Sequence, residues 1–188
     1  PTGRNFYSVD TRAVPTPAAW HLGWKSASRV VDRYLQENGD YPRTMALSAW
    51  GTANMRTGGD DIAQALALMG ARPTWDTGTG RVTGFEIMPA GVLDRPRVDV
   101  TLRVSGFFRD AFPAQMDLVD SAARAIADLD EPDDVNPLAA RVRADAAALA
   151  PNVRTILQVD LNRYLGGPKK WLVPLVRPRV KVAHKAKV

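Results

Sequence analysis

The sequence predicts an α/β fold: a partly parallel sheet with flanking helices, an irregular N-terminal segment and a basic C-terminal arm. Three observations carry that reading. In RPRVDVTLRVS, Val98, Val100, Leu102 and Val104 alternate with Asp99, Thr101 and Arg103, the period of a strand with one buried face. In DDIAQALALMG, residues 60–70, Ile62, Leu66 and Met69 line one helical face among small alanines, and a glycine ends the run. Two short apolar runs, TMALSAW and RPRVDVTLRVS, are each followed by a glycine-bearing segment and then a helical pattern, the alternation that builds sheets flanked by helices.

Taken in order, residues 1–25 are rich in Pro, Gly and Trp and read as irregular, because Pro15 and Pro17 restrict the backbone. A helix is expected over 28–38, where Val30, Val31, Tyr34 and Leu35 form an apolar stripe and Asn38-Gly39 ends it. TMALSAW is short and apolar enough for a central strand, and Gly51 stops it. In the turn NMRTGGDD, Thr57 is placed to cap the next helix, with Asp60 at capping-box spacing and Gly70 as terminator. PTWD and RVTGFEI read as strands joined by the turn DTGTG, which Asp76 opens as an Asx residue. GFFRDAFP breaks the strand before it, with Phe107, Phe108 and Phe112 available to fill the core. Met116, Val119, Ala123 and Ile126 then mark a helix over 114–129, closed by EPDD as a solvated end. Asn136-Pro137 supplies N-cap and N1 for a last helix. Residues 1–150 are expected to form the α/β segment, and 151–188 a basic tail whose structure the pattern leaves open.

A chain of 188 residues can bury a core without staples. It has no cysteine, which excludes disulfides and thiolate metal sites, and its two histidines, His21 and His184, lie far apart. Apolar runs fall short of a membrane span and PTGRNFYSVD lacks the parts of a secretory signal, so no membrane association and a cytoplasmic location are expected. The net charge of +5 is unevenly spread. Residues 1–150 hold 16 Lys plus Arg against 19 Asp plus Glu, and the remainder holds 9 against 1. The main body is therefore no nucleic-acid binder by charge. The tail, through Lys169, Lys170, Arg177, Arg179, Lys181 and Lys185, suits an acidic protein partner, with nucleic acid stacked on Trp171 as the lesser alternative.

Two strand exits offer chemistry. The first holds Asn54, Arg56 and Thr57, the backbone N–H groups of Gly58 and Gly59, and the carboxylates of Asp60 and Asp61. Free N–H groups at a helix start attract anions and Arg56 can grip a carboxylate, although capping with solvated first-turn acids accounts for the same pattern. The second exit, SGFFRDAFP, holds Arg109 and Asp110, which either reach a ligand or pair with each other. If the two strands are neighbours, both exits face one crevice, where open α/β sheets bind ligands. Glu86 is a proton acceptor, a hard-metal ligand or a salt-bridge partner. His21, between Trp20 and Trp24, suits an interface better than a metal. Neither a Walker A ending nor a GxGxxG fingerprint occurs, and Ser48 and Ser105 lack partners for a hydrolytic triad.

Five stretches, PTGRNFYSVDTRAVPTPAAW, YPRTMALSAWGTANMRTGGDDIAQALALMGARPTWD, GRVTGFEIMP, RPRVDVTLRVSGFFRDAFPAQMDLVD and ADLDEPDDVNP, lie in that order within about residues 1–145. Together they resemble the CobN family, the large subunit of aerobic cobaltochelatase, related to the magnesium chelatase H subunit. The resemblance implies part of an ATP-dependent chelatase of cobalamin biosynthesis. Its substrates would be Co2+ and a tetrapyrrole, hydrogenobyrinic acid a,c-diamide. ATP would be bound by partner AAA+ and associated subunits, not by this chain. Under that reading Asn54, Arg56, Thr57, Gly58, Gly59 and Arg109 would hold macrocycle substituents. Asp60, Asp61, Glu86 and Asp110 would handle protons or guide the cation. Such subunits exceed a thousand residues, so this chain would be a small part of one and a weak chelatase alone. A noncatalytic tetrapyrrole-binding or assembly module is the alternative.

Overall fold

The computed structural model describes residues 9–148, so the basic tail expected from residue 151 lies outside the described residues. The chain divides into two compact units, Pro1–Arg143 and Ala144–Val188, and of the second only the end of the last helix is described.

The first correction comes at the N-terminus. Helix α1 spans Pro17–Asn38, eleven residues more than the apolar stripe at 28–38 marked. Pro15 stays in the irregular segment, but Pro17 opens the helix: Thr16 accepts a hydrogen bond from the Ala19 amide at 3.1 Å and Pro17 occupies the first helical position. Gly39, in the left-handed region at φ 74°, ends the helix as expected. Strand β1 is Thr44–Ala49. The segment after it is not an open turn, because Gly51–Thr57 forms a short helix, α2. Gly58 and Gly59, both left-handed, then turn the chain tightly into helix α3, Asp60–Met69.

Strands β2, Ala71–Trp75, and β3, Val82–Ile87, form an antiparallel hairpin whose connecting turn is held by Asp76, which accepts from the Thr79 amide at 2.8 Å. A four-residue helix, α4, Ala90–Leu93, leads to strand β4, Asp99–Val104. Where GFFRDAFP was expected only to break the strand, Gly106–Ala111 is helix α5, capped by the Ser105 hydroxyl on the Phe108 amide at 3.1 Å. Helices α6, Pro113–Ala127, and α7, Pro137–Ala148, close the order. The Asn136 carboxamide caps α7 by accepting from the Ala139 amide at 3.0 Å.

β1 and β4 pair in parallel, Thr44 opposite Asp99 through Ala49 opposite Val104, in a sheet separate from the antiparallel β2–β3 pair, so the strand pairing is partly parallel as expected. Helix α3 sits at the centre, with every residue from Ile62 to Met69 except Gln64 buried. Its close approach to α1 depends on Gly23, where a Cβ would come within 2.6 Å of the Ala63 Cβ. Beyond the end of α3, Arg97 is only 1% exposed. It donates to the Met69, Gly70 and Met88 carbonyls at 3.1, 3.2 and 2.8 Å and pairs with Glu131 at 2.8 and 2.9 Å. Glu131, read from sequence as part of a solvated acidic end, is therefore a structural anchor held below the usual carboxylate range by the Arg97 hydrogen bonds. Among the described residues no helix is long and apolar enough to cross a membrane.

Candidate functional site at the ends of the parallel strands

Parallel pairing brings the exits of β1 and β4 to one edge, as the two-exit argument required. The Ser105 amide donates to the Ala49 carbonyl at 3.1 Å, and the Gly51 amide donates to the Ser105 hydroxyl at 3.3 Å. Gly51 allows α2 and α5 to touch: a Cβ there would stand 2.3 Å from Phe107 Cδ1. Trp50 and Phe107, at the starts of these helices, are 62% and 49% exposed. Phe107 therefore departs from its expected core role, while Phe108 and Phe112 stack inside at 5.0 Å. An aromatic within three residues of a strand's end, Trp50 after Ala49 and Phe107 after Val104, is the signal that would have marked this edge.

On the α2 side the candidate residues converge. Asn54 is fully buried, and its Nδ2 donates to the Trp50 carbonyl and to Asp61 Oδ2, each at 3.0 Å. Its Oδ1 has no hydrogen-bond partner among the described residues. Partial burial raises the Asp61 carboxyl above its ordinary pKa and Asp60 adds to the rise, while Asn54 and the Trp50 backbone oppose it. The Thr57 hydroxyl lies 2.5 Å from Asp60 Oδ1, 3.1 Å from the Ala53 carbonyl and 3.3 Å from the Asp60 amide. Thr57 is thus the last residue of α2 and not the N-cap of α3; Gly59 holds that position, and Thr57 reaches the first turn from outside.

The two glycines face the body of the protein. A Cβ at Gly58 would meet Thr16 Oγ1 at 2.9 Å, and one at Gly59 would meet Val14 Cγ1 at 2.5 Å, while the Gly58 carbonyl accepts from the Thr16 amide. Close packing against the chain entering α1 is thus a structural reason for glycine at both places. Arg56 is exposed in the last turn of α2 and makes no ion pair among the described residues. Arg109 and Asp110, exposed on α5, pair with each other at 2.9 Å, which lowers the Asp110 pKa. Glu86 belongs to the other sheet, where it faces Arg72 at 3.5 Å across the hairpin. His21 lies exposed on α1, whose Trp20 and Trp24 rings are 5.8 Å apart. Among the described residues no three His, Cys, Asp or Glu side chains gather as a metal site. The edge thus offers a buried amide, two adjacent carboxylates, a free guanidinium and two exposed aromatic rings, a set suited to a flat ligand with polar substituents.

Residues 1–162 match the model of the CobN/Magnesium Chelatase family. The chain is 66% identical over 149 residues to the aerobic cobaltochelatase subunit CobN of a Sinorhizobium species, covering 79% of this chain and 12% of that protein. It is 43% identical over 159 residues to the chloroplastic magnesium-chelatase subunit ChlH of Oryza sativa subsp. indica, covering 82% and 11%. A solved structure, the catalytic subunit of cobaltochelatase from Mycobacterium tuberculosis, superimposes with a TM-score of 0.78 at 51% identity over 82% of this chain and 13% of that one. The chain thus spans about an eighth of the length of these relatives. With the family model matched over most of its length and the fold shared at high identity, this chain belongs to the CobN/magnesium chelatase family.

Proposed function

We propose that the chain serves as a segment of a cobaltochelatase large subunit. It contributes to ATP-dependent insertion of Co2+ into hydrogenobyrinic acid a,c-diamide, in the cytoplasm, with ATP hydrolysed by partner AAA+ and associated subunits. The observation that carries this reading is the 66% identity to a cobaltochelatase subunit across the stretch that forms the β1–β4 exits. The bare side of the parallel sheet supports the segment role. Thr44, Ala46, Ser48, Thr101 and Arg103 are exposed there, whereas parallel sheets in α/β proteins are covered on both faces.

In this reading the exposed rings of Trp50 and Phe107 meet the macrocycle, and Arg56 and Arg109 pair with its carboxylate substituents. Asp61, made a stronger proton acceptor by the rise in its pKa, and Asp60 and Asp110 accept pyrrole protons or guide the incoming cation. Thr57, Gly58, Gly59 and Asn54 position these groups. Glu86 serves the hairpin and stands outside this set. Because the segment is an eighth of its relatives, its residues contribute to binding and to proton and cation handling, and complete insertion belongs to the whole subunit.

A chimera tests the proposal: this segment replaces its counterpart in the Sinorhizobium subunit, and cobalt insertion is followed with the partner subunits present. Insertion within about tenfold of the parent is expected, and Arg56→Ala should weaken macrocycle affinity about tenfold, the effect of losing one charge-assisted hydrogen bond. A folded chimera that binds its partners but inserts no cobalt would sink the reading.

A further inference from the structure

A second surface adjoins the strand-exit site and shares Asp60 with it. Between α1 and the start of α3 runs an open groove of about 520 Å3. Helix α1 carries two stripes. One, with Gly23, Ala27 and Val31, is buried. The other places Leu22, Ser26, Arg29 and Arg33 along the groove at heptad spacing, with Lys25 and Val30 beside them. Leu22 is 59% exposed and Val30 is exposed as well. Arg33 is held by Glu37 at 2.8 Å, but Lys25 and Arg29 make no ion pair among the described residues. From α3 the groove receives neutral Gln64 and Asp60, whose carboxylate is engaged by Thr57.

A solvated face accounts for the lysine and arginines but not for the leucine and valine set among them in a concave surface between two helices. We propose that this groove receives an acidic amphipathic helix, its apolar seam packed on Leu22 and Val30 and its carboxylates paired with Lys25 and Arg29. The charge of the groove selects the occupant. Residues 151–188 of the same chain, with nine basic side chains and one acidic, lack the carboxylates such an occupant needs. Nucleic acid is disfavoured by the small number of free cations, the Asp60 carboxylate and the apolar centre. The proposal does not rest on the chelatase reading.

The test uses the full chain and a helical peptide of about three heptads with Leu at a and d and Glu at e and g, paired with a version carrying Lys in place of Glu. The Glu peptide binds, salt weakens the binding, and the Lys peptide does not bind. The double variant Lys25→Glu, Arg29→Glu should lose about tenfold in affinity for the Glu peptide and gain binding of the Lys peptide, with an unchanged melting temperature because both side chains are exposed. The proposal is overturned if both peptides bind alike, if neither binds, if the double variant keeps its affinity, or if duplex RNA or anionic vesicles bind this face in preference.

Discussion

At Asp61, burial and the neighbouring Asp60 both work against the ionised carboxylate, and the hydrogen bond from Asn54 only partly offsets them. A folded-state pKa raised above the unfolded value means that the folded protein keeps this proton to higher pH than the unfolded chain does. The contribution to stability is therefore fully present below the ordinary carboxylate range and is lost as pH rises through the folded value. Asp61→Asn keeps an acceptor for the Asn54 amide and removes the charge. The variant should be more stable at neutral pH by roughly half a kcal/mol, a small figure because the group is partly solvated, and the difference should close in acid. Urea unfolding at pH 7 and pH 3 measures this; a variant less stable at both would show that the charge itself supports the fold. None of this was legible in the sequence, where two adjacent aspartates at a helix start look alike. Only the contact with Asn54, seven residues earlier, separates them.

The helices show how far local pattern reaches. The limits of α3 follow from its glycines and apolar period, and α7 from Asn136-Pro137, because caps and turns act within a few residues. The stripe at 28–38 does not reach the first turns of α1, where small Ala19 and Gly23 are buried, Gly23 against α3, with Trp20 and Trp24 packed against the core beside them. Helices α2 and α5 escape the sequence pattern because each spans about two turns or fewer and periodicity has too few residues to register. Gly23→Val should push α1 off α3 and destabilise the protein by about 2 kcal/mol, the usual effect of overpacking, since the Ala63 Cβ and carbonyl carbon and the Gln64 amide nitrogen all lie within 3 Å of the new Cβ. Gly106→Ala, at the start of α5 with nothing within 4 Å of its Cβ, is the matched control. It should be neutral or stabilising by up to about 1 kcal/mol, and thermal melts of the two variants check the pair.

Across the whole molecule, Arg97 ties together elements that are distant in sequence: the end of α3, the chain after β3, and Glu131 before α7. Arg97→Ala should cost about 3 kcal/mol, because it removes the cation paired with Glu131, which keeps only the Asn136 amide, and a donor to the Met69, Gly70 and Met88 carbonyls. The pairing lowers the Glu131 pKa in the folded state, so its stabilisation is present above the unfolded value and is lost as pH falls through the carboxylate range. The difference between parent and variant in chemical unfolding should therefore shrink in acid, and a constant difference from pH 7 to pH 3 would contradict this account. By itself the sequence determined the alternation of strands and helices, the existence of two strand exits and the membership of a chelatase family, because periodicity, caps and extended motif similarity are properties of neighbours along the chain. Tertiary structure alone decided that β1 and β4 are parallel neighbours, that Asn54 reaches Asp61 while Glu86 answers Arg72, and that Arg97 and Glu131 are an internal tie. Each of these depends on which distant surfaces pack together, and the burial that shifts a carboxylate or silences an arginine is created only when they do.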